Sequence, residues 1–367
     1  MNKDDLPPRT TPDYAKYQRD IFLEGAETGS LPEFNTDPDL VEEKAKETLS
    51  KGGWLYANSN AGVSWTHRAN REAFYQWRII PRMLVDTNQR DMSCTFKLGN
   101  QQYTFDAPIG FAPIGINKIY HPKGEFNSAR VAGELNLCYA LSTAGSQPIS
   151  EVARVHDEGA AQGGRPNKHK NGAKGRWFQL YWPHNDDLTV SLLQDAHNSS
   201  YSACVLTLDT WQLAWRHGDI ASANKWKEIS GGKPFVLKGI QSVGDAKRAA
   251  ATEGIDGIVV SNHAGRQVDG AIGSLDALAD IVDAGVGDKL TIMFDSALAL
   301  GAKFVFCGRP WVYGMSINGE AGVRHVMKAL LADFDLLMNV GGFRNLGEIT
   351  RDSIRHIPHA SLGGAKL

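Results

Sequence analysis

Gly257-Ile-Val-Val260 runs directly into Ser261-Asn-His-Ala-Gly-Arg-Gln-Val-Asp-Gly270. The apolar quartet is short, unalternating and β-branched, as a strand buried on both faces of a parallel sheet should be. The ten residues after it are loop-forming and carry an imidazole and a guanidinium three positions apart. His263 supplies a base near neutral pH, and Arg266 a planar two-pronged clamp for a carboxylate. A titratable group at the end of a buried strand needs a partner, and a bound anion is one.

Seven further apolar runs resemble this one. They are Ala107–Ala112, Leu137–Ser142, Trp177–Trp182, Ala203–Leu208, Phe235–Leu237, Leu290–Phe294 and Phe304–Cys307, separated or followed by helical intervals such as Val243–Glu253 and Ala321–Leu337. Eight such βα units predict α/β architecture with a closed (β/α)8 TIM barrel, whose chemistry gathers where the strands end. An open doubly wound sheet is the alternative, but no GxGxxG follows an early strand. Residues 1–105 read as an N-terminal helical extension, with Leu40–Lys51 amphipathic, that covers the barrel floor and sends Gly53–Gly62 to the active-site rim. Residues 106–367 read as the barrel, and Gly159–Lys174 as a surface loop.

Composition narrows the function. A formal net charge of −2 gives no support to a nucleic-acid partner, and no apolar run approaches a membrane span. Cys94, Cys138, Cys204 and Cys307 are widely spaced without CxxC, three of them in apolar runs, and read as buried reduced thiols. No metal site is read. The opening polar, proline-containing stretch lacks the core of a signal peptide, and the terminal Ala365-Lys366-Leu367 approximates the Ser-Lys-Leu peroxisomal address.

Other strand ends carry suitable groups. Ala112-Pro-Ile-Gly115 lets backbone approach a flat ligand closely. Ser142, Gln179, Tyr181, Thr207 and Asp209 follow at the next three ends, and Lys238 sits in an otherwise apolar context where it can hold negative charge on a reduced aromatic cofactor. Gly308-Arg309-Pro310 stands where late barrel loops bind phosphate.

On Leu206-Thr-Leu-Asp-Thr-Trp211 and the SNHxxRQ motif at Ser261–Gln267, the chain resembles the FMN-dependent α-hydroxy acid oxidase/dehydrogenase family, closest to its lactate 2-monooxygenase branch. The similarity runs from about Tyr17 to about His356. It implies FMN as cofactor, a small lactate-like L-2-hydroxy acid as substrate, oxygen as electron acceptor and a homo-oligomer (tetramer or octamer). It makes His263 the base and Asp209 its partner. Tyr56, Arg216 and Arg266 would hold the substrate carboxylate, with Tyr181 near the hydroxyl. Pro113, Ile114, Gly115, Ser142, Gln179, Thr207, Lys238 and Ser261 would contact the flavin, and Gly308 and Arg309 the phosphate, with Asp295 nearby.

Two departures stand out. The family's seventh βα loop reads like DxGxRxGxDxxKALALGA, whereas Phe294-Asp-Ser-Ala-Leu-Ala-Leu-Gly-Ala302 joins its two ends directly. A parallel crossover usually needs about 10–12 residues or more, so this one is predicted to lack its helix, to expose an apolar barrel flank and to weaken the phosphate site. A second shortening, between Ile220 and Gly232, falls where that branch has a lid. The alternative to an active oxidase is therefore a catalytically impaired barrel, or a chain translated without the exon for that loop.

Overall fold

The computed structural model describes residues 16–29, 36–163, 172–183, 185–210, 219–294 and 299–358. Arg216, Asp295 and the terminal tripeptide lie outside them. Eight parallel strands close a barrel: β1 (Ile109–Phe111), β2 (Cys138–Ser142), β3 (Arg176–Leu180), β4 (Ala203–Thr207), β5 (Phe235–Ile240), β6 (Gly257–Val260), β7 (Thr291–Phe294) and β8 (Phe304–Cys307). Nearly every residue of β1–β6 is buried, which is why none of these strands alternates in sequence. Among the described residues β7 pairs with β8 through Met293–Phe304 and Phe294–Val305, and β8 meets β1, so the barrel closes.

The interior is filled from below by a segment that sequence patterning placed among helices. Cys94–Leu98 and Gln101–Phe105 form an antiparallel hairpin, and burial alternates along Cys94–Leu98. Phe96, Tyr103 and Phe105 pack against Trp177 and Phe304, with ring centroids 5.1 Å apart for Phe105–Phe304. This plug is strand because its apolar residues recur every second position, the period of a half-buried strand. The extension is helical only through Gln76, as Tyr17–Thr28, Pro38–Thr48, Lys51–Asn58 and Trp65–Gln76. The amphipathic Leu40–Lys51 run is interrupted at Leu49–Ser50, where the Ser50 hydroxyl accepts from Gly53 N and starts a new helix.

Gly159 is likewise not in a loop. It is buried in the helix Ile149–Gln162, against the Arg130 carbonyl, where a Cβ would collide. Between β4 and β5 the described residues include the helix Asp219–Ser230, so the second shortening leaves a crossover helix in place. The predicted exposed flank beside β8 is covered only in part: Phe74, Ile79 and Leu337, on the wall of the apolar hollow there, remain exposed. Ile109 and Val305 are 7% and 8% exposed, beneath the long helix Arg309–Gly341 and the paired segments Trp77–Ile79 and Ile354–His356. Those elements lean over β8 and leave a partly open apolar hollow.

Arg90 ties the extension to the long helix. Its Nε and Nη2 donate to Asp335 Oδ1 and Oδ2 at 3.0 and 2.6 Å, and Nη1 donates to Thr87 O. Both side chains are almost wholly buried. Removing one partner strands the other charge, so Arg90→Met should lower unfolding free energy by about 3–5 kcal/mol in urea titrations. Arg90→Met with Asp335→Leu should recover most of that loss.

Candidate active site

A cavity of about 290 Å3 opens at the C-terminal ends of the strands. Its wall includes Tyr56, Pro113, Ile114, Gly115, Tyr181, Lys238, His263, Arg266, Gly308 and Arg309, contributed by β1, β3, β5, β6, β8 and the rim. Ten residues from six segments distant in sequence thus share one mouth because parallel strands all end on the same side.

Asp209, 5% exposed, is the centre of the site. Its Oδ1 lies 2.7 Å from His263 Nδ1, and its Oδ2 accepts from Lys238 Nζ at 3.4 Å. Burial raises the Asp209 pKa, but the Lys238 charge and the His263 hydrogen bond outweigh it, and the carboxyl is held below its usual range. Burial lowers the His263 pKa, the Lys238 and Arg266 charges lower it further, and Asp209 opposes them. Lys238 and Asp209 thus balance while the imidazole stays neutral. A carboxylate facing Nδ1 fixes the tautomer: Nδ1–H donates, and Nε2 keeps a basic lone pair.

The backbone presents this ring at some cost. His263 and Ala264 both have φ of +57° and Gly265 +76°, and non-glycine residues there store of order 1–3 kcal/mol each. Ser261 Oγ accepts from His263 N at 3.0 Å and Asn262 Oδ1 from Gly265 N at 3.1 Å. Asn262 and Asn70 exchange amide hydrogen bonds at 2.9 and 2.7 Å. A Cβ on Gly265 would stand 2.7 Å from His67 N, so the rim helix can approach only glycine.

At the rim two guanidiniums converge. Arg266 Nη1 donates to the Tyr56, Ala57 and Ser59 carbonyls at 2.7, 3.3 and 3.3 Å, with its guanidinium over the Tyr56 ring. Arg309 donates from Nε to Ala57 O and from Nη2 to Ser59 O and Asn60 Oδ1. Burial lowers the Arg309 pKa, and the neighbouring Arg266 charge adds to it against opposing contributions from Tyr313 and the Glu42 carboxylate.

Deeper in the barrel a polar row crosses successive strand ends. Ser142 Oγ donates to Gln179 Oε1 at 3.1 Å, Gln179 Nε2 to Thr207 Oγ1 at 2.9 Å, and Lys238 Nζ to Ser261 Oγ at 3.2 Å. Beside it Gly115 passes so close to Ala144 that a Cβ would lie 2.8 Å from that residue's methyl. Alternating donors and acceptors behind a flat backbone wall fit the edge of an isoalloxazine ring. Gly308 precedes the helix Arg309–Gly341, whose N-terminal amides suit a phosphate.

Of the residues singled out from sequence, the structure gathers His263, Asp209, Tyr56, Tyr181, Arg266 and the polar row. Asn70, Asn262, Tyr120 and Asp269 were missed. Asp269 accepts from Val63 N at 2.7 Å and Thr66 N at 3.2 Å, fastening the rim to the motif loop, and Tyr120 lines the cavity. Asn262 and Asp269 were legible as turn formers; Asn70 had no local signal, its partner being 192 positions away.

The model of the FMN-dependent dehydrogenase family matches residues 45–229 and 221–356. The chain belongs to that family. It is 37% identical to the FMN-dependent alpha-hydroxy acid dehydrogenase qulF of Penicillium citrinum, covering 94% of this chain and 97% of that protein. That alignment spans 412 positions, more than the 367 residues present here, so the relative carries insertions opposite this chain. An L-lactate oxidase of Lysinibacillus sphaericus is 33% identical over 82% of this chain and 88% of its own length. The crystal structure of mandelate oxidase superposes with a TM-score of 0.73 at 27% identity, covering 88% of this chain and 98% of that one. FMN is accordingly the cofactor of this family member.

The electrostatics yield a directional test. With its folded pKa below the unfolded 6.5, His263 contributes stability that is complete above 6.5 and lost as pH falls through the folded value. In NMR titrations the His263 ring should titrate higher in Lys238→Met, which removes a cation, and lower in Asp209→Asn, which removes its anion.

Proposed function

We propose that this FMN-dependent 2-hydroxy acid oxidoreductase acts on a small, lactate-like L-2-hydroxy acid and yields the 2-keto acid or its decarboxylated product, with oxygen as final electron acceptor. The observation carrying this reading is the neutral His263, backed by the Asp209–Lys238 pair, on the same cavity as Arg266. Arg266 and the Tyr56 rim hold the substrate carboxylate. Tyr181, whose phenol burial keeps protonated, hydrogen-bonds the substrate hydroxyl. His263 Nε2 takes up one substrate proton, and Asp209 stabilises the imidazolium that results.

FMN supplies a sink for the two electrons released at C2 of the acid. Pro113, Ile114, Gly115, Ser142, Gln179, Thr207, Lys238 and Ser261 would hold its ring, with Lys238 offsetting negative charge there. Gly308 and Arg309 would hold its phosphate. Asp295 and Arg216 keep the family roles assigned above.

A second reading, a barrel with impaired flavin binding, is favoured by one observation. Arg309 spends its donors on rim carbonyls, and Asp295–Lys303 is too short for the family's phosphate-binding loop.

Two measurements separate these readings. Mixed anaerobically with L-lactate, the FMN-loaded protein should lose flavin absorbance. His263→Ala should bind FMN normally but bleach about 10²–10⁴-fold more slowly; a variant that bleaches at the native rate removes the base. Inserting a relative's ten-residue loop after Asp295 should tighten FMN in fluorescence-quenching titrations, whereas unchanged affinity would contradict the phosphate-site account.

A further inference from the structure

Tyr120 lines the active-site cavity, yet the base, the polar row and the cation pair all leave it unused. It is 7% exposed, and its hydroxyl has no hydrogen-bond partner among the described residues. A buried hydroxyl is costly unless something meets it.

The loop after β1 fixes where this phenol stands. The chain makes one tight turn at Asn117–Ile119, and Tyr120 N donates to Asn117 O at 3.0 Å. Glu125, fully buried, pins the turn by accepting from Asn117 N at 3.1 Å and from Asn117 Nδ2 at 2.8 Å. The rim helix Lys51–Asn58 lies so close that a Cβ on Gly53 would stand 3.1 Å from Ile119 O. A side chain on so firm a base loses little freedom when a ligand arrives.

The neighbours indicate the ligand. Among the described residues of the cavity wall are three cations, Lys238, Arg266 and Arg309, and no carboxylate. The charges acting on Tyr181 include those of Lys238 and Asp209, whereas Tyr120 feels Arg266 and Arg309. Tyr120 thus stands on the guanidinium side of the cavity, and burial keeps its hydroxyl protonated. Arg266 Nη1 is committed to the rim carbonyls, which leaves an incoming carboxylate oxygen room for another donor.

We propose that Tyr120 is a further substrate-binding residue, its hydroxyl donating to the substrate carboxylate beside Arg266 and Tyr56. This rests on the 2-hydroxy acid reading of the same site.

The probe is pyruvate, the keto acid of lactate, titrated calorimetrically into the full-length protein in the presence of excess FMN. Tyr120→Phe keeps the ring and removes the donor. Pyruvate binding should weaken about ten- to hundredfold, as for a lost hydrogen bond to a charged group, with FMN affinity changed less than about twofold. Tyr120→Met should lose as much, so the result does not hang on one variant. Native pyruvate affinity in a folded, FMN-binding variant overturns the inference. So does a loss confined to FMN, which would assign the phenol to the phosphate. A native protein without saturable pyruvate binding overturns it too. In that case the 2-hydroxy acid reading stands if L-lactate still bleaches the flavin, and falls with the inference if it does not.

Discussion

A single carboxylate organises this protein. Asp209 is buried at the end of β4 between an ammonium from β5 and an imidazole from the loop after β6. Alone, any of these charges would be costly in the barrel mouth. Together they form a neutral set in which the imidazole has its proton on the carboxylate side and its lone pair free. The left-handed backbone at His263 and Ala264, the Asn70–Asn262 amide pair and the close approach of Gly265 to the rim helix all keep that ring in place.

The opposite pole of the site is a collection of carbonyls. Tyr56, Ala57 and Ser59 turn their backbone oxygens toward two arginines from distant strands, so the rim and the cation pair are one unit. His263 and Arg266, from one loop, and Arg309, from the last strand end, therefore line a common cavity. The shortened crossover between β7 and β8 leaves the Asp209–Lys238–His263 set intact.

The barrel was legible because its strands are buried on both faces, and eight unalternating apolar runs have few other homes. His263 and Asp209 were legible because polar side chains at the ends of such runs need a reason. Less visible were features depending on tertiary contacts. The Cys94–Phe105 hairpin alternates as strands do, but it lay in a region whose helical stretches dominated the pattern. The flank beside β8 was predicted to be bare, and the return of the chain after Gly341 to pair Ile354–His356 with Trp77–Ile79 covers it only in part. No local pattern announces a contact between segments so far apart.

The pH dependence of anaerobic flavin reduction by L-lactate tests the neutral-imidazole claim most directly. With His263 as the base and its pKa below 6.5, kcat/KM should be level from about pH 7 to 8 and fall toward tenfold per unit in acid. A rate that stays level down to about pH 4, or that rises with acidity, would contradict the account.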